Sequence, residues 1–301
     1  MSSAATILLL ALPAFVAGAC PVVQAAATAP KPDVLPELSG LGASQRHPGV
    51  VYGHNDSGGS ARFFAFEPGG AVRATFLLAD VNAIDWEDIA VAEVDGQTWV
   101  YLADTGNNDL NRAEVAVYRV PEPELPVSNR EVILSDAERL RIAFPSSNED
   151  AEGLAVEPET GALILVTRDR DDSDATRLYR VEPKTDDTVA VPVLVRTLPD
   201  PSNGYKTKGA DWLPGQRFAL LRHSNNTGGT QLVTWPAPAG DSLATITLAL
   251  PCVDTLDSFE QAEALCFLDG GGEILVGGEG DSDPLRRYRV ADPQSGGWRV
   301  W

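Results

Sequence analysis

Short apolar runs separated by polar, glycine-rich turns recur along the chain, and they recur in a fixed order. Each unit begins with an acidic residue, a small or polar residue and an aliphatic residue, as in WEDIA at 86–90 and AEGLA at 151–155. The same frame occurs as LSGLG at 38–42, with serine in the acidic position, as ADWL at 210–213 and as AEALC at 262–266. The aliphatic position recurs at intervals of 48, 65, 59 and 52 residues. Such spacing indicates an internal structural repeat.

Three further apolar stretches follow each first marker. The second stretch ends in a polar turn, as in VVYGHNDSGG and WVYLADTGNN, and the offset between the two markers is 17, 17, 17, 13 and 16 residues. An aromatic stretch such as AVYRVPEP comes next, and a fourth apolar stretch follows, as at 189–198 and 244–250. Four short strands in each of five units predict an all-β protein, a β-propeller of five four-stranded blades. A six-bladed ring is the alternative, and a β-sandwich is the nearest rival fold.

The repeat also predicts where the ring begins and ends. Little chain precedes residue 37, so we expect the first and last blades to close the ring by edge packing, without an interlocking strand. We expect the last strand at 297–301 (GWRVW), and the longest helical candidate is 135–142, within an insertion in unit two. The predicted inner strands lie near 38–44, 87–93, 152–157, 209–213 and 262–268.

The N-terminus has the pattern of an export signal. Residues 7–19 form an apolar run of thirteen, shorter than the roughly twenty residues that a membrane span needs. We therefore predict a signal peptide over 1–20, a flexible tether over 21–34 and a single propeller domain over 35–301. The sequence AGAC before residue 21 resembles a lipobox, in which Cys20 would receive a lipid. An ordinary signal-peptidase site at 23–25 is the alternative.

The three cysteines fit an exported protein. If Cys20 is lipidated or removed, Cys252 and Cys266 remain, and we predict that they form a disulfide in an oxidising compartment. Two separate buried thiols are the alternative. The cysteines lack CxxC spacing and the three histidines lack HExxH spacing, so neither set indicates a zinc site.

Charge narrows the choice of partners. The chain has 43 acidic and 23 basic residues, a formal charge of -20, which repels nucleic acid and anionic membrane surfaces. We expect a monomer that meets a membrane only through an N-terminal lipid. Its partner would be a small anionic or ester substrate, or an envelope protein or glycan.

The two markers converge on one end of the propeller channel, because each inner strand starts where the following strand ends. Two carboxylates about 6 Å apart repel by roughly 3 kcal/mol at an effective dielectric near 20. Such a ring favours a cation, and oxygen-rich, histidine-poor ligands suit calcium. The alternative is that the recurring acids only stabilise turns. The predicted metal ligands are Glu87, Glu152, Asp211 and Glu263, with Asp56, Asp104, Asp169 and Glu279 in the adjoining turns.

Cationic side chains are predicted at the same rim. A metal with arginine and lysine nearby suits an anionic substrate, and a histidine could transfer protons. The alternative is that these cations pair with the acids and nothing binds. The catalytic candidates are His54, His223, Arg168 and Arg222, with Lys206 and Lys208 beside them.

The motifs DWEDIA, YLADTGNN, VYRVPEP, DAEGLAV, KGADWLP and QAEALCFL resemble those of exported bacterial β-propeller proteins over roughly 35–301. More distantly, the inner-strand frame is similar to that of the gluconolactonase/senescence-marker, strictosidine-synthase-like, paraoxonase-like and phytase-like propellers. The resemblance implies calcium or another divalent ion at the channel mouth and hydrolysis of esters, lactones or phosphoesters. It also implies that Glu87, Glu152 or Glu263 binds the metal. Those families have six blades, whereas this repeat has five units.

Two functions follow as hypotheses. The first is an exported or lipid-anchored, calcium-dependent hydrolase of a small ester, lactone or phosphoester at the channel mouth. The second is a non-catalytic cell-envelope module that binds a partner or glycan through the rim loops. A purely structural lipoprotein is a third, weaker hypothesis.

Overall fold

Strands dominate the computed structural model, which describes residues 20–127, 130–145, 149–168, 175–199, 204–280 and 282–291. One short helix, α1 (Leu243–Ile246), and a 3-10 turn (Asp269–Gly271) complete its regular structure. The strands are β1 (Val22–Ala29), β2 (Leu38–Ala43), β3 (Val51–Asn55), β4 (Arg62–Phe66), β5 (Val72–Leu78), β6 (Asp88–Val94), β7 (Gln97–Asp104), β8 (Val115–Pro121), β9 (Glu131–Leu134), β10 (Glu138–Ile142), β11 (Ala151–Val156), β12 (Leu163–Thr167), β13 (Ala175–Val181), β14 (Val193–Pro199), β15 (Lys206–Leu213), β16 (Arg217–Ser224), β17 (Gly229–Pro236), β18 (Cys252–Leu256), β19 (Ala262–Phe267), β20 (Glu273–Gly278) and β21 (Leu285–Ala291).

These strands form five sheets in which the blade strands pair antiparallel, which confirms the five-bladed propeller. Blade 1 is β2-β3-β4-β5, blade 2 is β6-β7-β8-β10, blade 3 is β11-β12-β13-β14 and blade 4 is β15-β16-β17-β18. Blade 5 consists of β19, β20 and β21 with β1 at its outer edge. Blade 1 has a fifth strand, because β9 pairs in parallel with β5.

The inner strands β2, β6, β11, β15 and β19 pack against one another in a ring, and β19 contacts β2 to complete it. Five hydrophobic clusters fill the five spaces between neighbouring blades. One of them joins Tyr101 and Val117 of blade 2 to Leu154 and Leu165 of blade 3. No blade buries both of its faces alone, so the ring is the unit that folds.

The ring closes through an interlocking strand. β1 pairs antiparallel with β21, from Val22 opposite Ala291 to Ala29 opposite Leu285. The predictions of a flexible tether at 21–34 and of closure by edge packing are therefore wrong. An unpaired outer edge on blade 5 would leave backbone donors and acceptors unsatisfied, and β1 supplies their partners. The predicted last strand at 297–301 lies outside the described residues.

The disulfide joins Cys20 to Cys252, with a Cα–Cα distance of 5.4 Å, and Cys266 is buried and takes no part in this disulfide. The predicted Cys252–Cys266 pair is wrong because Cys252 begins the outer strand of blade 4, whereas Cys266 lies in the inner strand of blade 5. A thioether-linked lipid would need the same sulfur of Cys20, so the structure also contradicts lipidation of this residue.

Two local assignments differ from expectation. The helical candidate at 135–142 contains β10, the outer strand of blade 2. The apolar stretch at 244–250 begins within α1, which Ser242 caps, and the fourth strand of that blade is β18. No helix in the described part of the chain is long and apolar enough to cross a membrane.

Candidate functional site

The five inner strands start with side chains that meet at one end of the channel. The strand pairing shifts by one residue at Ser39, Glu152, Lys208 and Glu263, which marks a bulge at the start of four inner strands. Glu87 directly precedes β6 in the equivalent place, and the Ser39 hydroxyl donates to its carbonyl oxygen at 3.0 Å. Bulges commonly redirect side chains next to functional sites.

In blade 4, Lys208 occupies this position. The prediction that Asp211 lies at the channel mouth is therefore wrong. Asp211 lies three residues further along β15, where its carboxylate accepts from the backbone N–H groups of Trp212 and Phe267 at 2.8 and 2.7 Å. It also lines a cavity of about 270 Å³ formed by the opposite ends of the inner strands. With Lys208 as the first marker of this unit, the offset to the second marker at Ser224 is 16 residues, close to that of the other units. The shorter offset of 13 arose because the first marker was placed at Asp211 from the sequence.

Carboxylates gather beside Glu87 in two overlapping groups. Oxygens of Asp56, Asp85 and Glu87 lie within 4.8 Å of one another, and so do oxygens of Glu87, Asp150 and Glu152. Glu87, Asp150 and Glu152 are buried, whereas Asp56 and Asp85 are half-buried and face the mouth. We call these five residues the carboxylate cluster.

Sequence reasoning missed Asp85 and Asp150. Each precedes its inner-strand glutamate by two residues, and alternate residues of an extended strand point to the same side. This two-residue spacing could have identified both aspartates from the sequence. Asp104, predicted as a ligand, supports the loop instead: its carboxylate accepts from the backbone of Asp85 at 3.2 Å and pairs with Arg112 at 2.8 Å.

Gly106 allows the cluster to pack closely. A Cβ atom at this position would lie 2.2 Å from Oε1 of Glu87 and 2.5 Å from Oδ2 of Asp85. A residue with a Cβ atom would displace these two carboxylates from their present positions. The backbone of the polar turn therefore forms one wall of the cluster.

Burial makes the cluster electrostatically costly. Burial raises the pKa of Glu87 well above its usual range, and the neighbouring Glu152, Asp56, Asp85 and Asp150 raise it further. Burial also raises the pKa of Asp85 to about 6, with Asp56 and Asp150 adding to the effect. These acids therefore favour a bound proton or a cation.

Two cations border the cluster on one side. The Lys208 ammonium lies 2.8 Å from Oε2 of Glu263 and 3.8 Å from Oε2 of Glu152. The Arg168 guanidinium lies 2.5 Å from Oε1 of Glu152 and 2.9 Å from Oδ2 of Asp150. Burial raises the pKa of Glu152, and these two cations partly offset that rise.

His54 is fully buried and edge-on to Trp86, with ring centroids 5.6 Å apart. Its Nδ1 lies 2.9 Å from the carbonyl oxygen of Asn55, so Nδ1 carries the proton. Nε2 has no hydrogen-bond partner in the described part of the chain. Burial lowers the pKa of His54, so the ring is neutral near pH 7 and keeps one free lone pair.

His223 and Arg222 are buried in β16. His223 Nε2 donates to the carbonyl oxygen of Glu260 at 3.3 Å, and Nδ1 lies 3.0 Å from the Thr230 hydroxyl. Both ring nitrogens of His223 are thus engaged, in contrast to His54, whose buried Nε2 has no partner among the described residues. A catalytic role for either residue stays a prediction.

The remaining predicted residues lie around the cluster or outside the described chain. The Glu279 carboxylate accepts a hydrogen bond from the Gln261 side chain, and burial and the nearby Glu263 raise its pKa. Lys206 begins β15. Asp169 lies outside the described residues.

A family model for phytase-like proteins, described as "esterase-like activity of phytase", matches residues 34–249. The match covers more than two thirds of the chain. The chain belongs to this phytase-like family. The family match agrees with the phytase-like resemblance noted in the sequence, whereas the five blades follow the repeat count and not the six blades that the resemblance implies. A search of the curated proteins finds no match for the chain.

Comparison with solved structures finds similar chains at low sequence identity. The GH43 endo-arabinanase of Bacillus licheniformis is 10% identical and aligns with a TM-score of 0.51, covering 87% of this chain and 96% of the arabinanase. The periplasmic gluconolactonase of Pseudomonas aeruginosa is 14% identical with a TM-score of 0.43, covering 86% of this chain and 82% of that one. At these identities the arabinanase supports the fold alone.

Proposed function

We propose that this phytase-like protein is an exported hydrolase that holds calcium in the carboxylate cluster and cleaves a small, negatively charged ester or phosphoester at the channel mouth. The observation that carries the proposal is the sharing of Glu87 by two groups of three carboxylates within 4.8 Å. The family description, an esterase-like activity of phytase, supports the reaction class.

The donor set fits calcium. All five side chains of the cluster are carboxylates, which are the hard oxygen ligands that calcium prefers. The close wall at Gly106 keeps Glu87 and Asp85 directed into one small space. The raised pKa of both residues indicates that their charges need compensation.

Glu87, Asp150 and Glu152 would hold the ion from the buried side, and Asp56 and Asp85 would hold it from the mouth. A bound divalent ion supplies Lewis-acid polarisation of a carbonyl or phosphoryl oxygen and of a water. Arg168, whose side chain is 15% exposed, would contact the negative charge of the substrate. His54, with its unengaged Nε2, is the candidate proton acceptor.

Export is part of the proposal. The apolar run at 7–19 has the length of a signal-peptide core, and the Cys20–Cys252 disulfide belongs to an oxidising compartment. Because the disulfide keeps Cys20, a cleaved signal would end before residue 20 and not at 20 or at 23–25. A lipid anchor at Cys20 is not proposed, because the disulfide uses that sulfur.

The test is hydrolysis of an aryl phosphate, an aryl ester and a lactone by the purified protein, before and after removal of calcium by a chelator. We expect one class of substrate to be cleaved, activity to disappear with the chelator, and calcium to restore it. Glu87→Gln should lose most of the activity at every calcium concentration.

The matched control is Glu157→Gln. Glu157 is also buried, but it pairs with Arg180 at 2.9 Å and accepts from the backbone of Leu243, away from the cluster. This variant should keep the calcium-dependent activity while it remains folded. Calcium binding without hydrolysis of any substrate would contradict the enzyme and favour the envelope-binding module.

A further inference from the structure

Lys208 lies at the start of the inner strand of blade 4. The equivalent position is a glutamate in three of the five blades. Its side chain is buried, with the residue 5% exposed, and its ammonium contacts both carboxylate oxygens of Glu263 at 2.8 and 2.9 Å. The same ammonium lies 3.8 Å from Glu152, in the neighbouring blade. It therefore bridges two buried carboxylates across the mouth.

The other half of the mouth has no such protein cation. No lysine or arginine forms an ion pair with Asp56, Asp85 or Glu87 within the described ranges. Glu152 stands at the boundary, since it belongs to the carboxylate cluster and also contacts Lys208. The mouth is thus divided into a side that holds the Lys208 and Arg168 cations and a side where Asp56, Asp85 and Glu87 form no ion pair with a described lysine or arginine.

We propose that the Lys208 ammonium takes the place of a divalent ion between Glu152 and Glu263, and so limits how many ions the mouth binds. The carboxylate cluster keeps its own calcium, which rests on the proposed function, while the Lys208 side stays closed to metal. A fixed charge in this place cannot be removed by a chelator or diluted away.

The geometry explains why removing the ammonium would create a metal site. Without Lys208, Glu152 and Glu263 would be buried carboxylates on either side of the space that Nζ now fills, and Arg168 would remain paired with Oε1 of Glu152, the oxygen on the other side of that carboxylate. Calcium binds carboxylate oxygens at about 2.3–2.6 Å, which small movements of two glutamate side chains around that space could reach. An amide or an apolar side chain in place of Lys208 carries no positive charge, so the two glutamates would lack a cation between them.

The experiment is equilibrium dialysis against calcium chloride, with elemental analysis of bound calcium per chain. Lys208→Met should bind one more ion than wild type. Lys208→Arg, which keeps the charge, should bind the wild-type number. The double variant K208M/E263Q should also return to the wild-type number, because the gained site loses a carboxylate.

A second readout is the melting temperature with calcium and with a chelator. Calcium should raise the melting temperature of Lys208→Met more than that of wild type. If Lys208→Met does not fold in the chelator, it should fold with millimolar calcium, and Lys208→Gln provides the same test. A variant that stays unfolded with calcium, or that binds no extra ion, would overturn the proposal.

The outcomes separate this inference from the proposed function. Wild type that binds calcium, with Lys208→Met binding the same number, would sink the role of Lys208 and leave the metal hydrolase standing. Wild type that binds no calcium, with Lys208→Met binding one ion, would sink the hydrolase proposal and support the role of Lys208.

Discussion

Glu87 is the residue on which the two carboxylate groups depend, because it alone belongs to both. Its carboxylate is buried among like charges, and each ionised neighbour at about 5 Å costs roughly 3 kcal/mol at an effective dielectric near 20. Losing this charge should therefore stabilise the metal-free protein and remove the response to calcium.

Glu87→Gln tests both halves of that expectation. In a chelator, we expect its free energy of unfolding to exceed that of wild type by about 1 kcal/mol or more, since the amide carries no charge. Calcium should then stabilise the variant much less than wild type. Urea unfolding with chelator and with calcium measures both effects, and a variant less stable than wild type in the chelator would contradict them.

Glu157→Gln is a control for which the change in the free energy of unfolding should have the opposite sign. The Thr160 hydroxyl, the Leu243 backbone N–H and Arg180 hold the Glu157 carboxylate, and these contacts outweigh burial and lower its pKa. Losing a paired charge should destabilise the protein with and without calcium, typically by about 1 kcal/mol or more.

The pH dependence of stability follows from the raised acid pKa values. Folded protein binds more protons than unfolded protein between the ordinary and the raised pKa values, so stability falls as pH rises through this window. Burial raises the pKa of Asp211 to about 6, and a pKa difference of one between folded and unfolded protein corresponds to about 1.4 kcal/mol. Among the described residues, the acids with raised pKa values are Asp85, Glu87, Asp88, Glu152, Asp211, Asp254, Glu263 and Glu279.

We therefore expect the calcium-free protein to be more stable near pH 5 than near pH 7. The two buried histidines act in the opposite sense, because their pKa values are lowered, but they are fewer than the acids. With calcium bound, stability should decrease less between about pH 5 and pH 7. Urea unfolding across this range, with chelator and with calcium, measures it, and stability that rises with pH in the chelator would refute the account.

At the level of elements, β1 and the disulfide act together. β1 completes blade 5, and Cys20 just before it is bonded to Cys252 of blade 4. The bond closes a loop with a sequence separation of 232, for which the chain-entropy model gives about 5 kcal/mol. Strained native geometry or residual unfolded structure would lower that value.

We predict that Cys252→Ala lowers the melting temperature clearly and that a reducing agent does the same to wild type. Cys266→Ala, which removes the cysteine outside the disulfide, should leave the response to reducing agent intact. Peptide mapping without reduction should recover the peptide of residue 20 linked to that of residue 252. A linked Cys252–Cys266 peptide would contradict the assignment.

The inner strands were predictable from sequence because the same local frame recurs in every blade. The closing strand was not, because β1 pairs with a segment more than 250 residues away and its alanine-rich sequence resembles a tether. Some residues of the site were likewise predictable from sequence and others were not. Glu87, Glu152 and Asp56 follow from the repeat, whereas Lys208 required the bulge to set the frame of blade 4.

At the scale of the whole molecule, the five blades place the start of each inner strand at one channel mouth. Asp88, next to Glu87, accepts hydrogen bonds at 2.8 Å from the backbone of Ile89 and of Leu154 in blade 3. It also accepts from Ala210 of blade 4 at 3.1 Å. One side chain thus joins the inner strands of three blades directly below the carboxylate cluster, which makes the cluster part of a rigid frame.

Calorimetric titration of the metal-free protein with calcium near neutral pH tests the central claim most directly. The account predicts saturable binding of at least one ion per chain, with affinity at least about tenfold lower in Glu87→Gln, a loss of roughly 1.4 kcal/mol. Glu157→Gln should bind as wild type does. Wild-type protein that shows no binding at millimolar calcium would contradict the account.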